Sequence, residues 1–153
     1  MIEPFSLPIV PRFAEVDQQG VVFNAHYLTW FDEASTSYFD SLGLPLGEFD
    51  ARGLDVQVVH ADVDFLMPVR WRDVVRVEVG CDAVGTTSIA LRFDVVRRDV
   101  DGADAVAVRG RNVYVVVSSE DWAKREVPPE WRTALTSVAG QGRNADDGGS
   151  VTS

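Results

Sequence analysis

Apolar and polar residues change their spacing several times along the chain, and each change marks an element. Residues 5–16 read as an extended strand, with Pro8 and Pro11 suited to a sheet edge or an irregular start. Asp17-Gln18-Gln19-Gly20 interrupts the pattern as a loop, and Gly20 permits a backbone geometry closed to other residues. Tyr27, Phe31, Ala34, Tyr38 and Leu42 then recur every three to four residues, which predicts a helix. Asn24 is placed to cap that helix, and Gly43 and Pro45 to end it. Leu28, Trp30 and Phe39 widen its apolar surface beyond one stripe, so the helix should be wrapped rather than laid on a surface.

After a linker at 45–52 the spacing falls to two. Val59, Ala61, Val63 and Phe65 alternate with polar partners, as do Val75, Val77, Val79 and Cys81, and then Ile89, Leu91, Phe93 and Val95. Asp101-Gly102 signals a hairpin turn into a last strand over 105–117. Pro128-Pro129 opens a short helix through Val138. One strand, one long helix and four strands pairing as antiparallel neighbours make an α+β domain over residues 1–139. From Gly140 to Ser153 the chain has little to bury and reads as a disordered tail.

Composition narrows the functional classes. The chain has 153 residues, 46% hydrophobic and 25% charged, as in soluble globular proteins. No apolar run is long enough to span a bilayer, and the first residues make a poor signal peptide, so the expected location is cytoplasmic, without a membrane partner. A net charge of −10 argues against nucleic-acid binding. A local patch for an anionic ligand stays open, with Arg92, Arg97, Arg98, Arg109 and Arg111 as candidates. The single cysteine, Cys81, lies in a strand pattern and reads as buried packing. His26 and His60 fall in different elements with no acidic cluster at metal spacing, so no metal or cofactor is expected. There is no G-x-S-x-G elbow, Walker loop or dinucleotide glycine motif.

From Asp17 to Ala34 the chain reads D-x-x-G-V-V-F-N-x-x-Y-L-x-W-F-D-x-A, and it later carries FLMPVRWRDVVRVEV and Val127-Pro128. These segments resemble the 4-hydroxybenzoyl-CoA thioesterase family of hotdog proteins, over residues 5–135. The resemblance implies a curved antiparallel five-stranded sheet wrapped around a long central helix. It also implies hydrolysis of an acyl-CoA to a carboxylic acid and free CoA by a homodimer or homotetramer. Asp17 then attacks the thioester carbonyl or activates water against it. The oxyanion site falls to main-chain N–H groups in the Gly20, Phe23 and Asn24 region, and Asn24 stands where many relatives carry His or Tyr. Tyr27, Phe31, Thr87 and Ser88 fall near the acyl group. Thr86 and Thr87 are not basic where some relatives use charged residues, so a carrier-protein substrate stays open.

The chemistry of the loop is compatible with that role. A carboxylate just before a helix lies beside N–H groups that have no partner within the helix and carry partial positive charge. Attack and oxyanion stabilisation then come from one short segment. Asp17 is alternatively a turn carboxylate that only caps backbone donors. Asn24 caps the helix in either case, and Phe23, Tyr27, Phe31 and His26 each have a plain packing or surface reading. Two other functions remain: release of a fatty or polyketide chain from a carrier protein, and a non-catalytic acyl-binding scaffold.

Overall fold

The computed structural model describes residues 3–139. In chain order the elements are β1 (Phe5–Ile9), a 3-10 turn (Phe13–Glu15), α1 (His26–Ser41), α2 (Leu46–Ala51) and β2 (Leu54–Phe65). β3 (Val74–Val84), β4 (Ser88–Arg98), β5 (Asp104–Ser118) and α3 (Pro129–Ala139) follow. The expected α+β class holds: the strands form one antiparallel five-stranded sheet in the order β1-β3-β4-β5-β2. Pairing in chain order is true only of β3, β4 and β5. β2 skips β3 and pairs with β5, which leaves β2 on one edge and β1 on the other.

Alternation in β3 and β4 produces a two-faced sheet. Val75, Val77, Val79 and Cys81 are buried, as are Ile89, Leu91, Phe93 and Val95. The opposite face carries cross-strand ion pairs, including Arg92–Asp82 at 2.9 Å and Arg109–Asp94 at 3.4 Å. Register shifts at Val58/His60, Cys81/Ala83 and Val95/Val96 each add a residue to one strand, which bends the sheet and increases its twist. α1 lies against the apolar face. Its Phe31 ring stacks on Phe93 with centroids 4.6 Å apart, directly over Gly110, the cross-strand partner of Phe93. A side-chain carbon at position 110 would overlap the Phe31 ring, so this glycine sets how closely helix and sheet approach.

The wrapped helix is as expected over most of its surface: Tyr27, Trp30, Phe31, Ala34, Tyr38 and Phe39 are all buried, while Leu28 is exposed. Its start differs. Ala25, not Asn24, is the capping position, and it already has helical dihedrals (φ −66°, ψ −24°) with no side-chain cap bond. The chain enters through a turn in which His26 N–H donates to Phe23 C=O at 3.0 Å.

Two other segments depart from the pattern reading. The first strand stops at Ile9 instead of running to Val16, because Pro11 lacks an N–H and the chain then tightens into the 3-10 turn. The expected linker at 45–52 contains α2, whose Phe49 is buried against Trp131 of α3 with centroids 4.2 Å apart. α3 begins at Pro129, close to the expected position. The expected tail from Gly140 lies outside the described residues. Among the described residues, no helix is long and apolar enough to cross a membrane.

Candidate active site

Residues 15–23 form a small closed unit ahead of α1. Val16 bridges Val22, Asp17 N–H donates to Val21 C=O at 2.9 Å, and Gly20 N–H donates to Asp17 C=O at 3.0 Å. Gly20 sits at φ +78°, the left-handed region that a non-glycine residue enters only with strain. The unit is then tied sideways. Val22 N–H donates to Val69 C=O at 2.8 Å, and Phe23 N–H to Glu15 C=O at 2.9 Å.

The half-buried Asp17 carboxylate accepts the Gln19 N–H through Oδ1 at 2.8 Å, an Asx-type turn. Among the described residues, no second hydrogen bond or ion pair engages it, which leaves Oδ2 available. The turn reading of this residue is therefore real, and it occupies one carboxylate oxygen rather than both.

The N–H groups near the helix start divide into used and available. Those of Gly20 and Phe23 are committed to Asp17 and Glu15 carbonyls, so these residues shape the loop. The N–H groups of Asn24 and Ala25 have no acceptor among the described residues. Asn24 also faces a cavity of about 240 Å³, lined by Val21, Val22, Asn24 and Tyr27 on one side and by Phe65, Leu66, Met67 and Pro68 on the other. Tyr27 contacts the Phe65 ring at 5.8 Å and the Trp30 ring at 5.1 Å. Burial pushes its hydroxyl up to about 12, with the Val69 backbone pulling the other way and Asp73 adding to the rise. It therefore stays a neutral phenol at ordinary pH.

Asp17, Gly20, Phe23 and Asn24 thus lie on one loop leading into α1, and of the sequence candidates Asn24 and Tyr27 line the cavity. Phe31 is fully buried over Gly110 and Phe93. Thr87 and Ser88 lie at the far end of the sheet. Ser88 pairs with Val115 of β5, whereas the cavity residue Phe65 pairs with Val108, seven positions away along the same strand. At about 3.4 Å per residue this is roughly 24 Å within one protomer. Thr87 C=O there accepts Val116 N–H at 2.9 Å. His26 is half-buried beside Phe23, with ring centroids 6.0 Å apart, and His60 is exposed beside Asp62 at 2.9 Å.

Two features escaped the sequence reading. The far cavity wall, Phe65–Pro68, comes from the crossover out of β2, which pattern alone does not bring to the helix start. The other is Glu15, buried at 3% exposure. Its Oε1 accepts Arg12 N–H at 2.8 Å, and its Oε2 accepts the Trp30 indole N–H at 2.8 Å. The arginines nominated for an anionic ligand are also differently employed. Arg92 and Arg111 pair with Asp82, Arg97 with Asp99, Arg98 with Asp104, and Arg109 with Asp94.

Residues 11–135 match the thioesterase-like superfamily, which spans the turn, α1, the whole sheet except β1, and the start of α3. The chain belongs to this superfamily. The thioesterase-like chain is 28% identical over 120 residues to a 1,4-dihydroxy-2-naphthoyl-CoA hydrolase of Nostoc punctiforme, covering 78% of each. It also resembles the dynemicin thioesterase structure (TM-score 0.80, 26% identity, 89% of this chain and 97% of that one). A third likeness is to a variant 4-hydroxybenzoyl-CoA thioesterase bound to 4-hydroxybenzoyl-CoA (TM-score 0.79, 23% identity, 86% and 97%), which bears on the fold alone. The curved sheet and its long helix are the hotdog arrangement, and by its superfamily and its hydrolase relatives the protein is an enzyme of the thioester hydrolase class.

Proposed function

We propose that this thioesterase-like protein hydrolyses an acyl-CoA to the carboxylic acid and free CoA, with Asp17 as the reacting carboxylate. The observation that carries this reading is the 15–23 unit. It carries a half-buried carboxylate with one oxygen free among the described residues, and it runs directly into Asn24, whose N–H has no acceptor among them and which lines a mostly apolar cavity. The acyl group occupies the cavity, with its carbonyl oxygen toward the start of α1. Oδ2 of Asp17 either attacks the carbonyl carbon, expelling the CoA thiolate and leaving an anhydride for water to open, or takes a proton from a water that attacks directly. On both routes the negative carbonyl oxygen is met by main-chain N–H from Asn24.

The naphthoyl-CoA hydrolase relative acts on an aryl-CoA thioester, which supports an aryl acyl group against the apolar lining of the cavity, whereas the dynemicin thioesterase binds a polyene. A carrier-protein substrate is less well supported, because the five arginines suited to attracting an acidic carrier are paired with aspartates. Thr87 and Ser88 enter this proposal through a second copy. Antiparallel pairing of two β2 edges would reverse one sheet against the other and bring the Ser88 end of one protomer toward the Asp17 end of its partner.

The test is Asp17→Asn. The amide oxygen can still accept Gln19 N–H, so the turn is kept while the basic oxygen is lost. Turnover of acyl-CoAs should fall on the order of 100- to 10,000-fold with thermal stability unchanged. Unaltered turnover in a folded variant would remove Asp17 from the mechanism. Running aryl, short, branched and long acyl-CoAs beside matched acyl-carrier substrates identifies the acyl class. Preference for the carrier would replace the CoA reading.

A further inference from the structure

Glu15 has the features of a working part that the hydrolytic scheme does not yet use. It is a nearly fully buried carboxylate two residues before Asp17, and both of its oxygens are engaged by groups from different parts of the chain. Oε1 holds the Arg12 N–H, with Arg12 Nε also 3.5 Å away. Oε2 holds the indole N–H of Trp30, fifteen residues later and inside α1. The Glu15 main chain adds two more ties, donating to Arg12 C=O at 2.9 Å and accepting Phe23 N–H at 2.9 Å. Trp30 in turn meets the ring of Tyr27, a wall of the cavity, edge to face.

We propose that Glu15 is a positioning residue for thioester hydrolysis. Its bond to Trp30 fixes the loop that carries Asp17 and runs into Asn24 against the body of α1. This inference rests on the role of Asp17 given above. The physical reason is that the two halves of the site are held by different contacts. Asp17 belongs to a loop closed mainly by its own hydrogen bonds, whereas Asn24 is the junction to α1, its C=O accepting Tyr27 N–H at 3.4 Å. The Glu15–Trp30 bond is a side-chain contact that ties the loop to the body of the helix, beyond the point where the main chain joins them. A buried carboxylate costs free energy unless its lone pairs are satisfied, so the arrangement favours one spacing of loop and helix over its neighbours.

Positioning makes a different prediction from simple structural support. The substrate still enters the same cavity, but the carboxylate meets the carbonyl less often in a reactive geometry. Misplacement by about 1 Å can cost on the order of 100-fold in rate. Glu15→Gln and Trp30→Phe should each lower kcat by roughly 10- to 100-fold with KM within about twofold. The double variant should fall no further than the worse single one, because both remove the same bond. Leu135→Ala, a core truncation in α3 away from the site, serves as the control for lost stability alone. Trp30→Phe keeps an aromatic ring in place, so the test survives if Glu15→Gln does not fold. The proposal is overturned if kcat per folded molecule stays at the wild-type value, as expected for Leu135→Ala, or if the two losses simply multiply. Asp17→Asn measured alongside separates the two ideas. If that variant is inactive while Glu15→Gln and Trp30→Phe are not impaired, only the positioning role falls. If Asp17→Asn is fully active, the hydrolytic scheme falls and Glu15 has nothing to position.

Discussion

At the scale of single residues, the carboxylates of this chain are sorted by what surrounds them. Among the described residues Asp17 keeps one free oxygen, whereas Glu15 has none. Burial alone would push the Glu15 carboxyl up, but bonds from the Arg12 N–H, the Trp30 indole and the Arg12 side chain outweigh it. The group is held below its ordinary value of 4.5. A carboxyl whose folded-state pKa is depressed stabilises the fold above its unfolded value and loses that contribution as pH falls through the folded value. Wild type should therefore be more stable than Glu15→Gln at neutral pH, and the gap should narrow as pH falls below about 4. Thermal melts of both proteins across that range check this. A gap that stays constant, or widens in acid, would mean that the ionised carboxylate is not what stabilises the loop. Sequence alone could not rank these two residues. Glu15 and Asp17 sit two apart in one polar stretch, and only Trp30, far along the chain, makes one of them a structural anion.

At the scale of elements, the periodic signals were legible and the exceptions have local causes. β3, β4 and α1 could be read from spacing, because each buries one face against a continuous core, and β5 and α3 from the turn and proline signals that open them. α2 was not legible, since its six residues give one buried contact, Phe49 on Trp131, and no period. The helix start was misread by one residue because the Phe23–His26 turn already supplies what an Asn24 cap would have given. Gly110 shows the limit most plainly. In sequence it is a small residue inside a strand; in the fold it is where Phe31 reaches the sheet. A methyl there must move either the ring or the strand, so Gly110→Ala should destabilise by about 1–3 kcal/mol, the usual cost of overpacking. Pairing it with Phe31→Leu, which frees space above the glycine, should restore part of the loss. Denaturant melts of the two single variants and the double variant measure this. Strict additivity would show that the contact does not set the helix–sheet spacing.

At the scale of the whole molecule, the residues of the proposed site are unevenly distributed. One end of the sheet holds Asp17, the Asn24 N–H and the cavity, while Thr87 and Ser88 stand at the other, and no rearrangement within a single sheet brings them together. The edge strand offers the way to join them. β2 is twelve residues long, pairs among the described residues only with β5, and exposes Val58 at 50%, Val59 at 59% and Phe65 at 56%. A long edge with exposed apolar side chains is an association hazard unless something covers it. A second copy laid antiparallel would cover it and also bring Thr87 and Ser88 toward the proposed site. Val58→Asp combined with Val59→Asp places two charges on that edge without touching the core, so the protomer should stay folded. Sedimentation should then shift from dimer or larger to monomer, and turnover should fall together with the loss of assembly. Raising the protein concentration should recover both in parallel. A wild-type protein that sediments as a fully active monomer would rule out a shared site and leave Thr87 and Ser88 as plain turn residues.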